Sequence, residues 1–456
     1  MLHSAEAARG FTETGREVQG LSWVSWISFA ICCGIVLATF RREADLLSPA
    51  RVFGFIWCLA VGLTELKLSR FQNEWNSLSW SLLLIGIAAF LIGILIAHVL
   101  NLGKKLVPLG TMRVILREER INEDRLFKII WLSFVVYAVS YVVIFLVKGF
   151  LPIFAVGTKT SRVDFYVFGF GVLINSTAYI IFFTLLYHLL VPACKVRKRI
   201  LTILTLIAVG SYALLLQRFQ IIMAAIMCFT LLYYATHRIR LKTALPLFAA
   251  VAGFFYWIAT LRLGSLLATY TYYSARMKFP IAYALLTEPY MYVVMNLENF
   301  ARSVNRLEHF TYGYFSFDSI VSMTGIEKWA GEYFSIDRYP FLVSGYNTYT
   351  AFWVFYRDFG VIGLVVIPLM LGFGIGLLYY RMRTDPTIKR VTAYGVMVFV
   401  MFVSFFVFPM PFLWFEYNML ALYLILRWTM MPPKTNGESF VPALQPEAGN
   451  GSRSLG

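Results

Sequence analysis

Arg162, Arg218, Arg262 and Arg276 each stand at the edge of a long apolar run or in the short connection beyond one. A guanidinium is planar, always charged, and offers donors in a fork that holds a phosphate bidentately. Several together suit a pyrophosphate. For any one of them, snorkelling toward lipid headgroups is the competing role; for the set, a phosphate grip is the better reading. Arg218 is the sharpest case, because LLLQRFQII (214–222) leaves barely a turn between two apolar runs. Arg162 and Asp164 are two residues apart, which suits either a local ion pair or an aspartate that orients the arginine toward a ligand.

The stretch 264–358 interrupts the apolar pattern and holds nearly half of the chain's 27 tyrosines. Its acids are Glu288, Glu298, Glu308, Asp318, Glu327, Glu332, Asp337 and Asp358. Any of them has the chemistry of a general base toward an acceptor hydroxyl, and spacing does not choose among them. Glu298, Asp358 and His309 are the catalytic candidates. Asp358 competes with a capping role for a helix expected from about Phe359, and a lone histidine is more often structural. Asn347 and Tyr349, in the segment that closes the stretch, join Arg162, Asp164, Arg218, Arg262 and Arg276 as binding candidates. The tyrosines fit an interfacial aromatic belt and also stacking on sugar rings.

Several signatures are missing. The chain has no GxxxxGK[ST] loop, HExxH pair, DxD or GxSxG elbow. No metal and no other cofactor is expected. An enzyme of this kind must draw on a donor activated beforehand, such as a lipid-linked phosphate. Cys32, Cys33, Cys58, Cys194 and Cys228 lie in or at the end of apolar runs and read as small apolar residues.

The elements that must position these groups are membrane-length. The chain is 59% apolar and 14% charged with mean hydropathy +0.70, against about 25% charge in soluble domains. Apolar runs fall near residues 21–40, 51–66, 79–100, 128–147, 167–193, 199–216, 219–235, 243–261, 359–380, 391–410 and 412–430. They predict an all-α polytopic membrane protein of about 11–12 transmembrane helices. The segment 281–297, interrupted by Glu288 and Pro289, reads as re-entrant or interfacial. The net charge of +16 does not point to nucleic acid, because the cations crowd into short connections: 101–128, 195–199, 237–242 and 381–390. These read as cytoplasmic. Alternation then places 264–358 outside as one large extracytoplasmic loop, together with 148–166, 217–218 and the N-terminus. Residues 1–430 form one domain, and 431–456, rich in Pro, Gly, Ser and Asn, is a disordered cytoplasmic tail.

The chain resembles the bacterial oligosaccharide repeat-unit polymerases of the O-antigen polymerase (Wzy) type. The resemblance rests on LSPARVFGFIW (47–57), LPIF with TSRVDF (151–165), Arg218 in its tight turn, and YNTYTAFWVFYRDFGVIG (346–363) leading into a glycine-rich helix. It departs from the paired RX10G pattern of some members, since Leu173 stands eleven residues after Arg162. The resemblance implies a GT-C-like, metal-independent inverting glycosyltransferase of the inner membrane, with its active site toward the periplasm. It implies undecaprenyl-pyrophosphate-linked glycans as substrates, and a chain-length regulator and a flippase as partners in the pathway. An O-antigen ligase shares the donor and the layout. A flippase or transporter would show internal repeats or charges along mid-helix, and neither is evident. A membrane acyltransferase would need an intramembrane histidine.

Overall fold

The computed structural model describes residues 22–39, 45–155, 164–192, 194–236, 253, 267–326, 342–343 and 345–431. Among these, the regular structure is helical, with only two isolated β-bridges. The helices are α1 (Trp23–Thr39), α2 (Pro49–Thr64), α3 (Ser77–Val99), α4 (Leu109–Glu118), α5 (Glu123–Lys148), α6 (Thr177–Leu190), α7 (Lys195–Leu214) and α8 (Phe219–Ala235). After them come α9 (Leu267–Ser274), α10 (Thr287–Val304), α11 (Asp318–Thr324), α12 (Ala351–Thr384), α13 (Ile388–Val403) and α14 (Leu413–Thr429).

Local chemistry sets their ends. Pro49 opens α2 at the position where a missing N–H costs nothing. The Asn76 side chain caps α3 by accepting from Ser79 N, and Asn122 caps α5 by accepting from Arg125 N. Glu123 and Asp124 in the first turn of α5 suit the positive end of its dipole. Gly149, at φ 73°, ends that helix in the left-handed region.

Among the described residues, four helices are long and apolar enough to cross a membrane: α3, α5 continued to Ala155, α6 with its lead-in from Phe170, and α12. The other apolar runs of the described residues form helices of 16 to 20 residues: α1, α2, α7, α8, α13 and α14. The architecture is compatible with an all-α membrane protein. The run 243–261 lies outside the described residues, Gly253 excepted, as do residues 1–20 and the tail from 432. Two expected boundaries move. The run expected from Phe359 begins at Ala351, because Phe352, Trp353 and Phe355 are apolar enough to be buried there. The segment 281–297 divides into a 3₁₀ turn, Ile281–Leu286, and α10.

The helices alternate between two ends of the bundle. At one end, Val107 N donates to Arg383 O at 2.8 Å, Asn122 N to Thr429 O at 2.8 Å and Met431 N to Arg120 O at 3.2 Å. Arg197 pairs there with Glu123 and Asp124. This basic end gathers 100–122, 195–199 and 381–390. At the other end, Arg70 N donates to Arg276 O at 3.0 Å, Ser319 N to Pro411 O at 2.9 Å and Ala351 N to Ser404 O at 2.8 Å. This loop end gathers 65–76, 215–218, 275–319, 343–350 and 404–412. The Ser22 hydroxyl lies 3.4 Å from Glu65, so α1 starts at the loop end as well.

The tightest helix pair is α3 with α12, and glycine is the reason. A Cβ on Gly93 would lie 2.1 Å from Leu369 O, and one on Gly372 would lie 2.1 Å from Phe90 O. Small residues let two backbones approach where the apolar medium supplies no hydrophobic drive between helices. At the basic end, α12 is held by a buried ion pair. Arg383 Nη1 is 2.5 Å from Asp45 Oδ2, which also accepts from Tyr379 OH at 2.9 Å and Tyr234 OH at 3.0 Å.

Candidate functional site

The start of α12 builds the site. Trp353, Val354 and Arg357 fall on one face by helical spacing, and just before the helix the Tyr349 ring stacks on Trp353 with centroids 5.2 Å apart. The helix breaks at Gly360, where φ 61° and ψ −145° lie in a region open essentially to glycine. A Cβ there would come within 2.8 Å of the Phe310 ring.

The loop 311–317 docks against this break. Thr311 N donates to Arg357 O and Tyr312 N to Asp358 O, each at 3.0 Å. The fully buried Asp358 carboxylate accepts from the Thr311 hydroxyl, from Phe315 N at 3.3 Å and from Ser316 N at 2.6 Å. The docked loop sets the Phe315 ring over Arg357, with the guanidinium carbon 3.9 Å from the ring centroid. Arg357 is 4% exposed. Beyond it, Ser319 Oγ donates to Glu416 at 2.6 Å, which ties the loop to α14.

Three strips, 315–318, 347–357 and 406–412, therefore enclose a cavity of about 230 Å³. Arg357, Asp318, Asn347 and Thr348 are its polar lining, and Tyr349, Trp353, Phe315, Phe406 and Phe412 are its aromatic walls. Thr350 Oγ1, next in the chain to Tyr349, is buried without a hydrogen-bond partner among the described residues. A guanidinium held among aromatic rings, away from bulk water, acts strongly on negative charge that develops beside it. Flat aromatic faces with amide and hydroxyl groups between them suit a hydroxyl-rich ring.

The sequence candidates divide. Asn347 and Tyr349 line the cavity. Asp358 lies behind it, and its carboxylate holds the 311–316 turn instead of capping a helix from Phe359. His309 is exposed, two residues before the docked segment. Glu298 is fully buried elsewhere; it accepts from Asn73 N at 3.1 Å, Trp75 Nε1 at 3.0 Å and Arg302 Nε at 3.1 Å, and so holds the connection 65–76.

Of the four arginines, Arg218 reaches the neighbourhood of the cavity. Its Nη2 is 3.7 Å from Glu288 Oε1, and its guanidinium lies 5.6 Å from the Tyr292 ring centroid. The next residue, Phe219, packs edge-on against cavity-lining Phe406 at 5.7 Å. Burial, with Tyr292 and Glu288 nearby, raises the pKa of Tyr346 and keeps its hydroxyl protonated. Arg276 is exposed over the Phe71 ring at 5.7 Å and does not join the cavity. Asp164 is exposed. Arg162 and Arg262 lie outside the described residues. The two arginines that are described, Arg218 and Arg276, do not themselves line this cavity. The cavity's arginine is Arg357, which sequence reading passed over. The available signal was an arginine four residues after Trp353, at the head of an otherwise apolar helix. Among the described residues, no three His, Cys, Asp or Glu side chains gather as metal ligands.

No family model matches the chain, and no curated protein or solved structure is similar enough to count as a relative.

Proposed function

We propose that the protein is an integral membrane glycosyltransferase that joins lipid-pyrophosphate-linked oligosaccharide units at its loop end. It would act as the oligosaccharide repeat-unit polymerases that it resembles do. The observation that carries this reading is Arg357, a buried cation lining an aromatic cavity with Asp318 on the same lining.

In this reading an acceptor sugar hydroxyl attacks the anomeric carbon of the donor. The bond from that carbon to the pyrophosphate oxygen breaks, and the pyrophosphate leaves with the electron pair, stabilised by Arg357. Asp318, the loop acid that lines the cavity among the described residues, takes the hydroxyl proton. Asn347 and Thr348 hydrogen-bond the sugar, and Tyr349 and Trp353 stack on it. Arg218, held by Glu288, stands close enough to meet the lipid-linked phosphate at the membrane edge. The chemistry asks no metal of the chain, since the leaving group is already activated. The crowding of Lys and Arg in short connections at the basic end supports a cytoplasmic position for that end in this reading, with the cavity toward the periplasm of a bacterial inner membrane.

The test is complementation of a host that lacks its own copy of the gene, with surface polysaccharide read by gel ladder. Arg357→Ala is expected to lower polymer formation by about 10²–10³-fold, as removal of one electrostatic stabiliser does, and Asp318→Asn by about 10²–10⁴-fold, as loss of a general base does, while the protein inserts at normal levels. Normal chain length from Arg357→Ala would overturn the reading. Cells that keep a single repeat on the lipid core point to a polymerase, whereas a bare core with accumulated lipid-linked polymer points to a ligase.

A further inference from the structure

α13 and α14 follow one another in the chain but do not lie closely side by side along their length. Near the loop end they meet through Phe399 and Phe415, whose rings are 6.5 Å apart. α14 packs instead on α5 and α6. Toward the basic end, α12, α13 and α14 leave a cleft of about 440 Å³. Its walls are apolar, from Leu378, Val396, Met419 and Leu426, and its rim is basic, from Lys389, Arg390 and Arg427.

The rim charge is only partly compensated, since the Glu119 carboxylate also lies near enough to Lys389 to feel its charge. Arg390 pairs with Asp385. Lys389 and Arg427 have no carboxylate within ion-pair distance among the described residues; Arg427 Nη1 reaches only Tyr423 OH, at 3.4 Å. The outer face of α14 next to the cleft exposes Leu420, Leu424 and Trp428, as a face toward lipid does.

We infer that this cleft binds an anionic phospholipid, with an acyl chain between α13 and α14 and its phosphate at Lys389 and Arg427. An apolar trough that ends in cations at the basic end of a helical bundle is what an anionic headgroup recognises, and a zwitterionic one satisfies it poorly. The site lies at the opposite end of the bundle from the Arg357 cavity, so it is separate from the proposed donor and acceptor positions. The lipid would take the place of the missing helix-to-helix contact and hold the α13–α14 hairpin, whose turn 404–412 forms one wall of that cavity.

The experiment uses full-length protein in detergent, with native mass spectrometry and thermal melting after adding phosphatidylglycerol or phosphatidylcholine. Phosphatidylglycerol is expected to stay bound and to raise the melting midpoint more than phosphatidylcholine. The double variant Lys389→Ala with Arg427→Ala is expected to lose about 30-fold in phosphatidylglycerol affinity, the effect of two basic groups on an anionic headgroup. Ala393→Trp, which fills the cleft and leaves both cations, should abolish the lipid-specific shift. Equal retention of the two lipids, or an unchanged double variant, would refute the site. Inorganic phosphate at millimolar concentration should not compete; competition would show a free-phosphate site instead and also overturn the proposal. Polymer formation at Arg357 is read separately, so neither result decides the other.

Discussion

Buried acids in this protein hold loops. Asp358 carries three donors from 311–316, and Glu298 carries two from 73–75 and one from Arg302. Asp45 does the same at the other end with Arg383, Tyr234 and Tyr379. Removing Asp45 leaves a 7%-exposed guanidinium without its counter-charge. Breaking a buried pair from one side costs about 3–5 kcal/mol, so Asp45→Ala should yield little folded protein by fluorescence-detected size exclusion. The double variant Asp45→Ala with Arg383→Met should recover much of the loss; no recovery would mean that Asp45 acts through its tyrosines and not through the pair. The residue types were legible in the sequence and the roles were not. Glu298 and Asp358 stand out as acids among apolar residues, yet their partners lie 225 and 42 residues away, at Asn73 and Ser316. Asn347 and Tyr349 stood out because they lie in the polar segment that closes the tyrosine-rich stretch and carries the resemblance. Arg357 was hidden because the helix start was placed near Phe359, eight residues late.

α12 combines two glycine functions that sequence alone does not separate. Gly360 supplies a backbone conformation at the break, and Gly372 supplies closeness to α3. Gly374, two residues on from Gly372, would put a Cβ into open space. Gly372→Ala must move a helix backbone, whereas Gly374→Ala need not. The first should lower the melting midpoint of the detergent-solubilised protein by several degrees, and the second should stay within about 0.5 kcal/mol of the parent. Equal melting of the two variants would show that the α3–α12 contact is looser than its geometry. The apolar runs were readable as helices because composition decides them in a membrane. α10 was harder, since Glu288, Glu298 and Arg302 break its apolar run, and its burial depends on the distant connection 65–76.

At the scale of the molecule, the alternation of ends was readable from charge, since Lys and Arg crowd the short connections. The three-strip cavity was not, because its walls come from segments about 90 residues apart. The proposed orientation has a direct check. In a cysteine-free background, a membrane-impermeant maleimide on intact cells should label Tyr312→Cys, which is 79% exposed at the loop end. It should not label Lys104→Cys at the basic end until the cells are opened. The reverse pattern would put the cavity in the cytoplasm and remove it from any periplasmic donor.

The three strips also fix an order of assembly. Residues 311–319 leave the ribosome first, and their acceptors on Arg357 and Asp358 follow about 40 residues later. Ser404 and Pro411, which receive Ala351 N and Ser319 N, come later still. During synthesis, the loop is made before its acceptors, and the chamber closes only when the last helical hairpin is in place. Docking of that hairpin is thus the step that converts a loop into a site.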